Sequence, residues 1–457
     1  MTRKTKTKKK KEKHIVGTKE LVFDIVSVLL IVSLGIYIGF RSIKYYSRET
    51  AKNKVEANTL VKAIKTNNQI TKGENGLRQT KDGYYFIGSV ENNYVKVFNR
   101  LYRVIDINKN DEIKIVSNSN EAVFTYGNEN NYKTSNIYNW LNKGENQFSG
   151  IYYNSIPSPQ DLLVPMDYKL GLFENNKVNY SDKKKYKDYF TILSVSDYIR
   201  ALGTKSYLNN GSFSFLLESD GNGNPIYLTE DGTLDSASIY DGYGIRVVMT
   251  LKKNIEITGG KGTLDDPYVI NQENKTNKVN SYVKLGSDLY QTIEENDTML
   301  KLKKTDYLSI GGTYPSVPFS NINSEFNLYQ KNNIAVYLNN TYLNSLTYSD
   351  KLSDCTFSIG EVSTDTSYSY FEIYKEQVVA KVGLLNEFDL INDNTLTDYY
   401  LINKTSSVGS MIKTYNRLGI LDDEKGNESK KIVPVVCIQK DLIKNGDGTK
   451  DNPYVLE

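Results

Sequence analysis

Read for the spacing of apolar and polar positions, the chain changes character twice. Leu21 to Phe40 (LVFDIVSVLLIVSLGIYIGF) is apolar almost throughout, with Asp24 as its one charge. Twenty helical residues at about 1.5 Å each cover roughly the 30 Å hydrocarbon core of a bilayer, so this stretch predicts a transmembrane helix. From Arg41 to Thr71 there is neither glycine nor proline, and Ile43, Val55, Leu60, Val61 and Ile64 suggest a helical stalk that ends near Gly73 and Gly76. Beyond it the period shortens towards two. Tyr84–Gly88, Tyr94–Val97, Leu101–Ile107, Glu112–Val116, Phe213–Leu217, Pro225–Thr229 and Gly244–Leu251 read as strands separated by Asp, Asn and Gly turns. Short helices are expected at Asn136–Leu141 and at Ser194–Ala201, the latter with Ser194 as its cap.

The outer part matches itself. Tyr94-Val-Lys, Leu101-Tyr102 and Ile105 recur as Tyr282-Val-Lys, Leu289-Tyr290 and Ile293, and Trp140-Leu-Asn recurs as Tyr337-Leu-Asn. Tyr153-Asn-Ser-Ile156 returns as Leu343-Asn-Ser-Leu346, and Ile192-Leu193, Asp197 and Ile199 return as Leu384-Leu385, Asp389 and Ile391. Each copy closes on one motif, Gly260-Lys-Gly-Thr-Leu-Asp-Asp-Pro-Tyr-Val-Ile270 and Gly446-Asp-Gly-Thr-Lys-Asp-Asn-Pro-Tyr-Val-Leu456. Collinear matches of this kind predict two copies of one fold. The expected organisation is a basic tail (1–20), a transmembrane helix (21–40), a stalk (41–76), a first module (77–271), a linker (272–280) and a second module (281–457). The expected class is α+β and strand-rich, with two tandem copies of an antiparallel β-rich module.

Charge adds an orientation. Residues 1–50 hold 12 Lys/Arg against 4 Asp/Glu, most of the cations preceding Leu21, while the remainder holds 45 against 50. The positive-inside rule then keeps the N-terminus in the cytoplasm and exports the C-terminal bulk, with the lipid bilayer as a partner through Leu21–Phe40. A cleaved signal peptide would have a shorter apolar core and a small-residue cleavage site, and a pilin-type leader would have an apolar start after Gly17; neither is present. A slightly acidic outer part argues against nucleic acid, which needs clustered positive charge. The only histidine is His14, so the outer part has no histidine base and no histidine-bearing zinc site.

Tyr94-Val-Lys, Leu101-Tyr-x-Val-Ile105, Tyr337-Leu-Asn-Asn-x-Tyr-Leu-Asn-Ser-Leu346, Ile192-Leu-Ser-Val-Ser-Asp-Tyr198 and the run from Gly244 to Ile270 together resemble uncharacterised surface proteins of low-GC Gram-positive bacteria. Some modules of those proteins form a domain family of unknown function whose layout is similar to C-type-lectin-like and formylglycine-generating-enzyme-like folds. The resemblance spans Tyr84–Ile270 and, more loosely, Tyr282–Leu456. It implies a modular surface protein and carries over no catalytic residue.

Few residues nominate a site. Asp220-Gly-Asn222-Gly-Asn224, with Asp231 at the twelfth position, has the spacing of calcium ligands, but Pro225 replaces the required glycine and a hairpin turn accounts for it better. Trp140 and Tyr337 are the candidate ligand contacts, weighed against a role as helix anchors. Asp197 and Asp389 recur without a second reproducible acid, so a paired-carboxylate mechanism is not indicated. Laid over one another, the copies put Cys355 where Met166 stands and Cys437 where Met249 stands, which predicts that the two cysteines face each other as a disulfide. The resulting expectation is a non-enzymatic, membrane-anchored surface protein whose modules recognise a glycan, a cell-wall polymer or a protein, with no cofactor and no metal. A carboxylate-only enzyme acting on envelope polysaccharide and a passive structural subunit remain open as alternatives.

Overall fold

Leu60, Val61 and Ile64 share one face of a helix, and that face is where the described chain begins to pack. In the computed structural model the described residues are Tyr37 and 59–456, apart from 128, 143–148, 181–183, 272–276, 363–373, 392–395 and 406–410. The helix Leu60–Asn67 is eight residues long, and the three apolar residues are buried in the core of the first copy. Its start is tied down by the Leu60 amide, which donates to the Ile255 carbonyl at 2.8 Å. Its end is closed by the Asn68 side chain, which donates to the Ile64 carbonyl at 3.0 Å.

This corrects the helical stalk expected over 41–76: its described end is a docked amphipathic helix followed by the strand Gly76–Thr80. No helix among the described residues is long and apolar enough to cross a membrane. The transmembrane and signal-anchor reading, and the single-pass location built on it, are corrected accordingly and not carried further. Leu21–Phe40 lies outside the described residues except for Tyr37.

The class is corrected as well, from α+β to a β fold with short helices. Asn136–Leu141 forms under a Ser135 cap and Val195–Arg200 under a Ser194 cap, each six residues long. In the second copy a continuous helical run from Ile334 to Ser345 is π-wound over Tyr337–Tyr342. Strands carry the rest, because β-branched and aromatic residues fit pleated, two-sided packing.

The main sheet of the first copy runs Phe190–Ile192, Val247–Leu251, Ile113–Ser117, Arg100–Asn108, Tyr94–Val97, Tyr268–Ile270, Ile257–Gly259. That of the second runs Leu352–Ser353, Val435–Gln439, Met299–Lys304, Asp288–Glu295, Tyr282–Leu285, Tyr454–Leu456, Ile443–Asn445. The sheets are not purely antiparallel as expected. The last strand of each closing motif pairs in parallel with the copy's opening strand, Tyr268 opposite Val95 and Tyr454 opposite Val283. The turn before it demands glycine. Gly262 has φ +83°, and a Cβ there would lie 2.3 Å from the Tyr268 ring and 2.7 Å from the Asn92 carbonyl oxygen.

Residues from Thr59 to the C-terminus form one compact unit, and the two copies share a buried junction. The Trp140 indole donates to the Phe388 carbonyl at 3.0 Å, and the Phe124 ring lies 4.9 Å from that of Phe388. Glu387 is buried and accepts hydrogen bonds from the Thr125 amide at 2.9 Å and the Thr125 hydroxyl at 2.7 Å. The described part of the segment between the copies packs too: Asn277 donates to the Asn154 carbonyl, and Asn280 is bonded to Gln291 and Phe98.

Candidate functional site

The strand Arg100–Asn108 contains a β-bulge, with the register to its neighbour shifting between Val104 and Asp106. The extra residue is Ile105, and after it Asp106 stands opposite Lys114. The second copy repeats the device, shifting between Thr292 and Glu294 so that Glu294 stands opposite Lys301. Bulges re-aim the side chains that follow them. Here each lysine reaches the repeated aspartate. Lys114 Nζ lies 2.6 Å from Asp197, and Lys301 Nζ lies 3.5 Å from Asp389 and 3.8 Å from Glu294. Asp197 sits there because Ser194 caps its helix: the Ser194 hydroxyl accepts from the Asp197 amide at 3.0 Å and donates to the Asp197 carboxylate at 2.8 Å.

The two nodes differ in their remaining partners. Arg200 donates to Asp106 at 2.5 Å and to Asp197 at 3.0 Å. Burial pushes the Asp197 carboxyl up, but Lys114 and Arg200 together outweigh it and hold the group below the usual range. At the matching position the second copy has Asn392, outside the described residues. With Lys301 as the principal cation, burial wins at Asp389 and its carboxyl is pushed up.

A cleft of about 530 Å³ opens over the first node. Asn108, Asn110, Tyr168, Tyr180, Ser194 and Ser196 supply hydrogen-bonding groups to it, and Met166 and Thr250 belong to its wall. Glu218 also lines it, almost fully buried, accepting from the Val195 amide at 2.7 Å and from the Tyr180 hydroxyl at 3.3 Å. Burial raises the Glu218 carboxyl to about 7. The matching residue in the second copy is Asn403, whose side chain accepts from the Glu387 amide as Glu218 accepts from Val195.

Cys355 and Cys437 are joined by a disulfide, with Cα atoms 5.5 Å apart. The strand register shows what they replace. Cys437 stands opposite Lys301 and Ser353, as Thr250 stands opposite Lys114 and Val164. Cys437 therefore takes the place of Thr250, one residue on from the Met249 expected. The disulfide bridges the positions that Met166 and Thr250 hold in the wall of the first cleft.

Trp140 does not face a ligand. It is completely buried, 5.4 Å from the Phe124 ring and 5.3 Å from that of Tyr152. Tyr337 is half-buried within the π-wound turn and lines a shallow groove with Val317, Pro318 and Asn340. Asp220 is a turn former: its Oδ1 accepts from the amides of Asn222 and Asn224, each at 2.8 Å, between the strands Ser214–Asp220 and Pro225–Leu228. Among the described residues no three His, Cys, Asp or Glu side chains are grouped to hold a metal ion.

Sequence reasoning missed the lysines and the second acid of each node. A signal existed, because Ile105-Asp106 and Ile293-Glu294 align at the same offset as Leu101-Tyr102 and Leu289-Tyr290. No protein-family model, curated protein or solved structure matches the chain.

Proposed function

We propose that this protein binds a carbohydrate without turning it over, and that the cleft above Lys114 and Asp197 is where it does so. One observation carries the reading: the cleft is lined by amides, hydroxyls and tyrosines, while its central charges already satisfy one another. Sugar hydroxyls need both donors and acceptors; Asn110 and the Tyr180 and Ser196 hydroxyls, which are bonded to each other at 2.7 Å, bring both to the cleft. Asp106, Glu112, Asp167, Asp197 and Glu218 outnumber Lys114, Lys169 and Arg200 around it, which disfavours anionic polymers. Catalysis by Asp197 is disfavoured because Lys114, Arg200 and Ser194 engage its carboxylate.

A carboxylate hydrolase is the second reading, and one contrast favours it. Glu218 is held near 7 while Asp197 is held low in the same cleft, the kind of separation that assigns acid and base roles. An array of neutral, amine-bearing and acidic oligosaccharides probed with the full-length chain tests both. Binding to neutral sugars that Asn110→Trp removes and Glu218→Gln leaves intact, with no reducing ends released, supports the binder. Release of reducing ends that Glu218→Gln abolishes supports the hydrolase, and binding confined to acidic polymers sinks both.

A further inference from the structure

We infer that the second copy carries a second site for the same class of ligand, so that one chain grips two units of one neutral polysaccharide. The inference rests on the carbohydrate reading of the first cleft and extends it. A cleft of about 480 Å³ lies over the second node, lined by Glu294, Lys301 and Asp389. Those residues match Asp106, Lys114 and Asp197 of the first cleft by strand register and by offset. Correspondence continues in the walls. Asn386 holds the place of Ser194: its main-chain amide donates to the Asp389 carboxylate at 2.9 Å, in a turn where the first copy has the helix Val195–Arg200.

The hairpin Cys355–Ser358 with Gln377–Ala380 repeats the pairing of Met166–Tyr168 with Tyr186–Asp188. It brings Thr356, Ser358 and Gln377 to the rim where Asp167 and Lys169 stand in the first copy. Tyr374 supplies an aromatic ring, as Tyr180 does in the first cleft. A node kept solely to brace the sheet would need no cleft above it, yet both copies keep the node and the opening together. The chemistry is also kept: Glu294, Glu295 and Asp389 outnumber Lys301 and the Lys440 that pairs with Glu295, so the second cleft disfavours anions as the first does. Neutral amide and hydroxyl groups from the exposed residues Asn154, Thr356 and Gln377 remain to meet sugar hydroxyls.

Two sites on one rigid unit have a measurable consequence. A short ligand fills them independently, whereas a polymer long enough to reach both gains from the second contact being intramolecular, by about 10²-fold or more. Asn110 and Gln377 are exposed rim residues outside the two nodes, so Asn110→Trp and Gln377→Trp block one cleft each without disturbing its ion pairs. The experiment is calorimetric titration of the full-length chain with a mixture of neutral hexasaccharides (chito-, cello- and xylo-series). The parent polymers are then tested for retention. Two hexasaccharides per chain, one in either single variant and none in the double variant are expected, with polymer retention weakened at least tenfold in each single variant. One hexasaccharide per chain, lost in Asn110→Trp and unchanged in Gln377→Trp, overturns the second site and leaves the first standing. No binding by the unaltered chain overturns the carbohydrate reading and this inference with it.

Discussion

Trp140 of the first copy donates its indole hydrogen to the main-chain oxygen of Phe388 in the second, and both residues lie in a junction closed to solvent. The duplicated halves are thereby parts of one core. Trp140→Ala should cost about 3–5 kcal/mol, since it empties a large buried volume and removes the indole's hydrogen bond to the Phe388 carbonyl. The only tryptophan also reports on the junction, so its emission should shift in a single denaturant transition that coincides with loss of far-ultraviolet circular dichroism. Two separated transitions would show that the halves melt independently.

The cysteine bridge spans 82 positions of sequence. Closing a loop of that size removes unfolded-state entropy equivalent to roughly 4 kcal/mol. Replacing both Cys355 and Cys437 by alanine should lower stability by an amount of that order, with little change in the first copy's cleft. Thiol labelling under denaturing conditions, with and without reductant, measures the bridge directly: two free thiols before reduction would rule it out.

Glu218 sets a pH dependence whose sign can be worked out. Its carboxyl titrates near 7 in the folded chain and near 4.3 when unfolded, so between those values the folded state holds the extra proton. Stability contributed by this group is present below about pH 4.3 and lost as pH rises through 7, by on the order of 3–4 kcal/mol. Burial also raises Glu121 and Glu387, so the comparison must be between the unaltered chain and Glu218→Gln. The variant should show a flatter decline from pH 4.5 to 7 in urea denaturation, and parallel curves would refute the assignment.

How much of this was readable beforehand varies with the physics behind each feature. Strands such as Tyr94–Val97 and the capped helix at Ser194 were legible because alternation and capping are local. The alignment of the two copies was misread by one residue at Cys437, since side-chain period two cannot reveal a slip in a strand that is apolar on both faces. Lys114 and Lys301 were not singled out, because the bulges at Ile105 and Ile293 that bring Asp106 and Glu294 opposite them are tertiary features. Trp140 was credited with a possible ligand because nothing in its neighbourhood announces that Phe388, 248 positions away, would cover it. The apolar run at Leu60–Ile64 was taken for part of a stalk because its period is helical, and period alone does not say what the face packs against.

The closing turns offer a stringent check on the duplication. Gly448 has φ +75°, and a Cβ there would meet the Tyr454 ring at 2.5 Å and Ser281 Cβ at 2.8 Å, nearly the surroundings of Gly262. Gly262→Ala and Gly448→Ala should each destabilise by more than about 1 kcal/mol in chemical denaturation, because backbone and neighbours both resist the side chain. A neutral result at either position would mean that its turn is held less tightly than its twin.

The parallel pairing of each copy's opening and closing strands bears on how such units are joined. With Tyr268 beside Val95 and Tyr454 beside Val283, the strand that opens the repeated pattern and the last strand of each unit run side by side. In parallel strands a unit's entry and exit lie at opposite ends of the pair, about one short strand apart, and in this chain eleven residues, 271–281, separate Ile270 from Tyr282. Tandem units joined this way still have to bury the faces they turn to each other, and the junction around Trp140 and Glu387 is where these two do so.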